Sequence, residues 1–296
     1  MFAALQEVSR LSKLTLMLPG AAILCLSIAL GEVFAADQDK PAIIPNFSTF
    51  DFGWVKAGGG YVPPVSGPGP MSFDKANPII ARSPNARGDL IVAPLHVADL
   101  SNPILKPWVV ERMKKDDAEV IAGKIRYNAR SNCYPGGVPQ FLIYGGNEPL
   151  YFAQTAKEVL VINQADTQVR HVYMNVPHSM KPIPSWYGES VGHYEGDEMV
   201  VDTIGISDKS VLDDYGTPHT TQLHVVERYK MIEGGKTLQV SFTVEDPGAF
   251  NAAWSAITLY HRSPAILPLV EEPCAENNGE HPGQFFHIPT AERPDF

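Results

Sequence analysis

The titratable side chains of this chain gather in its second half, in a pattern that could move protons to and from a bound molecule. His178 and His219 each follow a proline in a predicted loop, and an imidazole titrates close to neutral pH. We expect acid–base catalysis in which Glu227 is the acid or base and His178 or His219 is its complement. Asp202 belongs to the same predicted catalytic set, and Tyr187 would donate a hydrogen bond to developing negative charge.

The prediction for Glu227 rests on the alternation of side chains along a predicted strand. Within the run 223–231, Glu227 shares one face with apolar residues, namely Leu223, Val225, Tyr229 and Met231. An ionised carboxylate in an apolar interior is costly unless it has partners. Glu227 is therefore expected to form an ion pair with an arginine or to act in a cavity with a raised pKa, unless the strand faces the other way.

Aromatic and polar residues of the same region supply a predicted wall for a small molecule. Aromatic rings with polar tips are typical of small-molecule cavities, although ordinary core packing is the simpler explanation. The predicted substrate-binding set is Tyr173, Trp186, His193, His224, Arg170 and Trp254. The histidines lack the H-x-x-x-H and H-E-x-x-H spacings of helical zinc sites, which excludes a zincin. We expect no metal, with a mononuclear site on strand-borne histidines as the minor alternative, and we expect no cofactor.

The segment 188–192 spells G-x-S-x-G around Ser190, the pattern of a hydrolase nucleophile. That nucleophile needs a buried strand before the serine and a helix after it. Here Pro182 and Pro184 precede the serine, and a strand and turn follow it. We expect the glycines to let a strand bend, with a hydrolase that uses Ser190 as a minor alternative.

Strands dominate the second half of the sequence. The β-rich runs are 141–144, 159–163, 170–175, 199–204, 223–231, 237–245 and 256–262. The turn sequence EGGK at 233–236 predicts a hairpin. The runs predict a mainly β fold, either an antiparallel barrel or a sandwich, and we favour the barrel because closure removes exposed edges. This barrel domain, with a C-terminal tail, should span 126–296.

The region before the barrel is rich in turn-forming residues. Gly58-Gly59-Gly60 and the prolines and glycines of 63–70 predict an extended arm over 36–125 that wraps another domain. One helix is expected at 107–121, where Val109 and Met113 give an apolar side. The predicted fold is therefore an antiparallel barrel with a Pro/Gly-rich N-terminal wrap and one or two short helices.

Composition excludes several classes of function. Of the 296 residues 44% are hydrophobic, which is enough for a sizeable core and excludes wholesale disorder. The formal net charge is −10, which would repel a phosphate backbone, so we expect no nucleic-acid partner. No stretch beyond the first thirty-six residues is long and apolar enough to span a bilayer, so we expect no membrane span after processing.

The first residues have the layout of a secretory signal peptide. Arg10 and Lys13 precede an apolar run at 14–30, and Val33-Phe34-Ala35 offers a cleavage site. We expect residues 1–35 to be removed and the protein to be periplasmic or secreted, with an uncleaved membrane anchor as the alternative. Export would leave Cys133 and Cys274, for which a disulfide is expected in an oxidising compartment, with two separate buried thiols as the alternative.

Several motifs resemble a widespread family of exported bacterial proteins of unassigned function. They are WYGESVGHYEGDEMVVDT at 186–203, GTPHT at 216–220, LHVVER at 223–228, VEDP at 244–247 and CYPGGVP at 133–139. Around 170–178 the family reads R-x-I-Y-x-D-G-R-x-H-P, whereas this chain has Asn175-Val176-Pro177 in place of Asp-Gly-Arg and keeps the histidine. Roles of that Asp and Arg are therefore not carried over.

The resemblance covers about residues 125–275 and implies export and one lipocalin-like β-rich domain. It brings no established reaction, but it directs attention to the polar motif positions, which are His178, His193, Asp202, His219, His224 and Glu227. We therefore expect an exported lipocalin-like barrel with a cavity for a small, partly apolar or aromatic molecule, acting as a lyase, isomerase or cyclase. The alternatives are a non-catalytic periplasmic binding protein and an envelope assembly partner, and the oligomeric state is open.

Overall fold

The computed structural model describes residues 44–48, 52–77, 82–84, 90–92, 97–122, 133–144, 148–265, 267–272 and 274. The chain divides into the units Met1–Pro41 and Ala42–Phe296. The first unit holds the predicted signal peptide and lies outside the described residues. No helix in the described part of the chain is long and apolar enough to cross a membrane.

Nine strands of the second unit close into a barrel, which confirms the predicted mainly β barrel fold. The described strands are β1 (Trp54–Lys56), β2 (Arg82–Pro84), β3 (Leu90–Val92), β4 (Leu150–Gln154), β5 (Glu158–Asn163), β6 (Gln168–Met174), β7 (Glu189–Glu195), β8 (Glu198–Ile204), β9 (His224–Ile232), β10 (Thr237–Glu245) and β11 (Trp254–Arg262). Around the barrel the order is β1-β11-β10-β9-β8-β7-β6-β5-β4, and β2 and β3 pair separately.

The predicted helix is present as α1, Pro107–Ile121, with a proline in its first turn. Its apolar side buries Val109 and Met113, as the spacing predicts. The entry to α1 is fixed to the loop between β10 and β11, because the Lys106 amide donates to the Ala249 carbonyl at 3.0 Å. The segment predicted as an arm thus packs on the barrel.

The predicted alternation along β9 and β10 is also confirmed. Val225, Glu227 and Tyr229 are fully buried, while the residues between them are partly exposed. The register pairs Glu227 with Phe242 of β10 and with Val201 of β8, both of which are buried. These strands therefore place a carboxylate in the barrel interior, with an apolar neighbour on each side.

One strand pair departs from the antiparallel pattern, since β6 and β7 run parallel. The connection 175–188 contains three prolines, which prevent it from pairing as a strand, and it returns the chain to the starting end of β6. The two glycines of the G-x-S-x-G pattern, Gly188 and Gly192, allow the chain to turn into β7 and to pack closely against its neighbours. Gly188 has a φ of +63°, and a Cβ there would lie 2.3 Å from the Ile204 carbonyl oxygen. A Cβ at Gly192 would lie 2.9 Å from Val172 of β6.

The barrel closes through β1, which comes from the segment predicted to be an arm. This strand pairs fully with β11, whereas its register with β4 contains one pair, Trp54 with Leu150. Phe47 is buried beside this seam, its carbonyl accepts a hydrogen bond from the Trp54 indole at 3.2 Å, and its amide donates to Gln154 at 2.6 Å. A three-residue strand is too short for periodicity to reveal, so the prediction of an arm over 36–125 missed it.

The run 141–144, predicted as a strand, lies instead in a 3-10 turn, Gln140–Leu142. Its residues are buried on every side, so their uninterrupted apolar pattern carries no strand alternation.

The segment that leads into this turn begins at Cys133, which forms a disulfide with Cys274, 141 residues further along the chain. The predicted pairing of Cys133 with Cys274 is therefore present in the structure.

Candidate functional site

The interior of the barrel holds a polar group that we call the buried pair, Arg170 of β6 and Glu227 of β9. The Arg170 Nη1 atom donates to Glu227 Oε1 at 2.9 Å, and Nη2 donates to Oε2. Both side chains are fully buried. The Tyr229 hydroxyl donates to Glu227 Oε1 at 3.0 Å, and Arg170 also donates to Thr203 Oγ1 at 2.8 Å. The carboxylate is therefore held by an arginine, the first of the two alternatives predicted for it.

The electrostatics of the buried pair favour the charged form of Arg170. Burial alone would lower the pKa of Arg170, but its interactions with Glu227 and Tyr229 together outweigh burial and raise the pKa above its ordinary value. Burial, together with the same carboxylate, raises the pKa of the Tyr229 hydroxyl, which therefore stays protonated and donates. The buried pair satisfies its own charges and is poorly placed to exchange protons with a ligand.

Ser190 belongs to the same interior group. Its hydroxyl accepts a hydrogen bond from Arg170 Nε at 3.1 Å and lies 3.0 Å from Thr203 Oγ1. Neither neighbour is a general base, and the side chain is buried. The geometry therefore gives Ser190 a structural role and supports no hydrolase that would use it as nucleophile.

A second polar group lies on the outside of the barrel, and we call it the outer-face cluster. It consists of Glu189, His178, Asp202, His224 and Glu245. Asp202 Oδ1 is 3.1 Å from His178 Nε2 and 2.9 Å from His224 Nε2. Glu189 Oε1 is 2.9 Å from His178 Nδ1, and Glu245 Oε2 is 3.6 Å from His224 Nδ1. Imidazoles and carboxylates thus alternate along a row that crosses four strands.

The strands explain why these residues meet. Glu189, Asp202, His224 and Glu245 all occupy outward-facing positions on the consecutive strands β7, β8, β9 and β10. His178 comes from the crossing connection 175–188, and the Ser179 amide holds that connection to Glu189 Oε1 at 2.7 Å. The side chains of His178 and Asp202 are 21% and 40% exposed, so solutes can reach the cluster.

The floor around the outer-face cluster is apolar. Asp202 pairs in register with Val191 of β7 on one side and with Val226 of β9 on the other. Val191 in turn pairs with Tyr173 of β6, whose ring is exposed. The connection above the cluster adds Met180, whose side chain is fully exposed. A partly apolar molecule could therefore pack beside the imidazoles.

Hydrogen bonding stabilises the ionised form of one carboxyl group of the outer-face cluster. Hydrogen bonding by Ser179, with a smaller contribution from His178, lowers the pKa of the Glu189 carboxyl. In the described part of the chain, no three histidine, cysteine, aspartate or glutamate side chains are grouped so that they could hold a metal ion. The geometry of the cluster is that of a hydrogen-bonded row of proton donors and acceptors.

Two predicted catalytic residues lie apart from both groups. His219 is buried, its Nδ1 donates to the Thr220 carbonyl at 2.9 Å, and its Nε2 lies 2.8 Å from the Ser210 hydroxyl. Burial lowers the pKa of His219, which favours the neutral ring. The Tyr187 hydroxyl donates to Gln168 Oε1, and burial raises its pKa, so Tyr187 stays protonated.

The predicted catalytic set is therefore divided. Glu227 lies inside the barrel, whereas His178 and Asp202 lie outside it, because Asp202 and its neighbour Thr203 point to opposite faces of β8. The structure does not bring Glu227 together with His178 or His219. It does bring together His178, Asp202 and His224, which the prediction had assigned to two different roles.

The predicted binding wall is likewise not one surface. Arg170 is in the buried pair, and Trp254 lies in the core, with its ring 6.2 Å from that of Phe250. Tyr173 and His193 are exposed on the outer face, and His193 contacts Glu195 at 2.8 Å. Trp186 stacks on Tyr134 with ring centroids 5.2 Å apart. A depression of about 330 Å³ between α1 and residues 97–100 contains none of the predicted residues.

The residues that the sequence analysis missed are Glu189 and Glu245 outside the barrel and Asp213 beneath its loops. The first two could have been found by extending the alternation from β8 and β9 to the neighbouring strands. Asp213 lies in a loop, where no periodicity applies. Its carboxylate accepts from the Thr217 hydroxyl at 2.7 Å and from the Thr217 amide at 3.1 Å.

Asp213 provides a pH-dependent prediction. Burial raises the pKa of its carboxyl from 3.8 to about 6, although the Thr217 hydrogen bonds oppose the change. Between about pH 4 and pH 6 the folded protein keeps a proton that the unfolded chain has released, so the free energy of unfolding should fall as pH rises, by at most about 1.4 kcal/mol per unit. Urea denaturation across this range should show that fall in the wild type and a smaller one in Asp213→Asn. Equal pH profiles for the two proteins would contradict the assignment.

Comparisons of this chain with protein-family models, with curated proteins and with solved structures found no match. The resemblance to the family of exported bacterial proteins therefore stays a prediction.

Proposed function

We propose that this protein is an enzyme that binds a small, partly apolar molecule on the outer face of its barrel and moves protons there without a cofactor. The reaction class is that of a lyase or isomerase. The proposal rests on one observation, which is that His178 and His224 both contact the same oxygen of Asp202, at 3.1 and 2.9 Å, on an accessible surface. This moves the predicted acid–base chemistry from Glu227 to the outer-face cluster.

His224 is the group proposed to react with the substrate. Its Nε2 faces Asp202, which fixes the orientation of the ring, while its Nδ1 is 3.6 Å from Glu245, beyond a good hydrogen bond. A ring held by a carboxylate at one nitrogen can accept or donate a proton at the other. Nδ1 of His224 would therefore take the proton from the substrate, and Asp202 would stabilise the imidazolium that forms.

His178 is proposed to complete the proton path. Both of its ring nitrogens face carboxylates, and only a doubly protonated ring can donate to Glu189 and Asp202 together. A positively charged His178 ring beside Asp202 would offset part of the negative charge of the three carboxylates in the outer-face cluster. The Tyr173–Val191–Val226 floor would hold the apolar part of the substrate beside these groups.

The test is solvent exchange at carbon. Purified protein is incubated in D₂O with a small-molecule extract of the source cells, and mass spectrometry follows deuterium uptake and new isomers. We expect a protein-dependent change in at least one compound, and a loss of about 100-fold or more in His224→Gln. His193→Gln is the matched control, because it removes another outer-face histidine that contacts a carboxylate. No protein-dependent change, or equal rates in the two variants, would contradict the proposal.

Location outside the cytoplasm belongs to the same proposal. The disulfide between Cys133 and Cys274 supports a periplasmic or secreted protein, because such bonds persist in oxidising compartments.

A second candidate function is that of an envelope assembly partner that performs no reaction. It is favoured by the exposed apolar side chains of the crossing connection, where Met180 and Ile183 are 101% and 85% exposed. This candidate predicts a protein that co-purifies with the wild type and is lost from Met180→Ser/Ile183→Ser. In the exchange experiment it predicts no turnover by either protein.

A further inference from the structure

The first part of the crossing connection is a short span between two fixed points. On one side the Asn175 amide donates to the Gly192 carbonyl at 2.7 Å. On the other side Pro182 packs on the barrel, since a Cβ at Gly205 would lie 3.0 Å from the Pro182 Cβ. The span between these points is 176–181, and we call it the flap. In the described part of the chain, no backbone group of the flap bonds to another backbone group.

The side chains of the flap are attached to the barrel at one place. His178 is the one flap residue that is partly buried, and the other five are exposed. The His178 ring contacts Glu189 Oε1 at 2.9 Å and Asp202 Oδ1 at 3.1 Å. Few buried contacts and a backbone open to solvent are the properties of segments that open locally at a small cost in free energy. The flap therefore depends on the contacts around His178.

One oxygen atom of Glu189 provides two of these contacts. Its Oε1 accepts from the Ser179 amide at 2.7 Å and lies 2.9 Å from His178 Nδ1. The Ser179 hydrogen bonds, with a smaller contribution from His178, lower the pKa of the Glu189 carboxyl, so it is ionised near neutral pH and accepts as a charged group. Glu189 itself is fixed in the barrel wall, where it pairs in register with Ile204 of β8.

We infer that the flap opens and closes over the outer-face cluster, and that Glu189 is the positioning residue that fastens it in the closed state. This inference rests on the proposed function, because it concerns the regulation of the same site. When the flap is closed, His178 lies 3.1 Å from Asp202 and the proposed proton path is complete. When the flap opens, His178 leaves Asp202, whereas His224 stays because it belongs to β9. Glu189 acts through His178 and does not touch the substrate.

The experiment is amide hydrogen exchange, followed by NMR on the full protein. Glu189→Ala removes the acceptor of the Ser179 amide, so we expect that amide to exchange about 10-fold faster or more, because a charge-assisted hydrogen bond is lost. The Asn175 amide is the internal reference, since it donates to the Gly192 carbonyl and should keep its rate. Glu189→Gln keeps an acceptor oxygen in the same place, and its Ser179 rate should lie between those of the wild type and Glu189→Ala.

The imidazole signals provide a second readout, which reports on the position of His178 and not on the stability of the fold. His178 and His224 contact the same oxygen of Asp202, so NMR cross-relaxation between their rings is expected in the wild type. It should weaken in Glu189→Ala. Glu195→Ala is the matched control for both readouts, because it removes another carboxylate of β7 that contacts an imidazole, at 2.8 Å, outside the cluster.

Three results would overturn the inference. The first is equal exchange of the Ser179 amide in the wild type and Glu189→Ala. The second is an Asn175 rate that rises by the same factor, because the fixed end would then open together with the flap. The third is ring cross-relaxation that Glu189→Ala leaves unchanged. These measurements need no substrate, so a protein that shows no turnover in the D₂O assay contradicts the proposed function without deciding whether the flap moves.

Discussion

Arg170→Leu is expected to destabilise the fold by about 3–5 kcal/mol, because it leaves the Glu227 carboxylate buried without a counter-ion. Glu227→Gln should cost a similar amount, since it leaves the Arg170 cation in the same position. Both side chains are fully buried, so water cannot take over the lost interaction. Urea denaturation followed by tryptophan fluorescence measures the free energy of unfolding of each variant.

The double variant Arg170→Leu/Glu227→Leu separates the charge from the packing. It removes both charges at once, and it should be less destabilised than either single variant, because no unpaired charge remains. Ser190 and Thr203 can still hydrogen-bond to each other in that background, as their oxygens are 3.0 Å apart. If the single variants lie within about 1 kcal/mol of the wild type, the buried pair does not carry the stability assigned to it.

These expectations change how a Glu227 variant is interpreted. If Glu227 were the catalytic acid or base that the sequence predicts, Glu227→Gln would abolish turnover while the fold stays intact. The pairing with Arg170 predicts a destabilised protein, so a loss of activity in that variant would follow from unfolding as readily as from chemistry. Variants at His224 avoid this ambiguity, because the side chain is on the surface and its removal leaves no buried charge.

Removal of the disulfide should have the second large effect. Cys133→Ala/Cys274→Ala is expected to lower the thermal midpoint by about 10 °C, corresponding to roughly 3–5 kcal/mol on the chain-entropy estimate. The physical reason is that the bond closes a loop with a sequence separation of 141 residues, which restricts the unfolded chain. Differential scanning calorimetry measures the change.

Reducing agent provides the internal control for this prediction. It should lower the midpoint of the wild type to that of the double variant and leave the double variant unchanged. A wild-type midpoint that does not respond to complete reduction would show that the bond contributes little to stability.

The strands of the fold were predictable where buried and exposed side chains alternate along the sequence. The runs that became β5, β6, β9, β10 and β11 bury alternate residues, and the inward position of Glu227 follows from that alternation. β4 was missed because Leu150, Tyr151 and Phe152 are all buried and do not alternate. The parallel course of β7 depends on a proline-rich connection whose path the sequence pattern does not specify.

The candidate site was predictable residue by residue but not as a site. His178, Asp202 and His224 were each selected from the sequence, and Glu227 was selected for its inward position. Which of them meet depends on the register of β7, β8 and β9, and on where the crossing connection lies. Strand register and the path of the connection are properties of the assembled barrel, and they cannot be derived from the spacing of residues along the chain. The G-x-S-x-G pattern drew attention to Ser190, whereas its glycines allow close packing, Gly188 against the end of β8 and Gly192 against β6.

The closure of the barrel between β1 and β4 has a mechanical consequence. Every other junction of the wall is a ladder of backbone hydrogen bonds, whereas this one contains a single register pair and is held by side chains around Phe47. A load that widens the barrel will therefore concentrate there, since side-chain contacts yield before a ladder does. The β1–β4 junction is therefore the weakest junction of the barrel wall, and residues 44–48 are the segment that holds it closed. Opening it would expose the interior while the ladders of the other junctions stay intact.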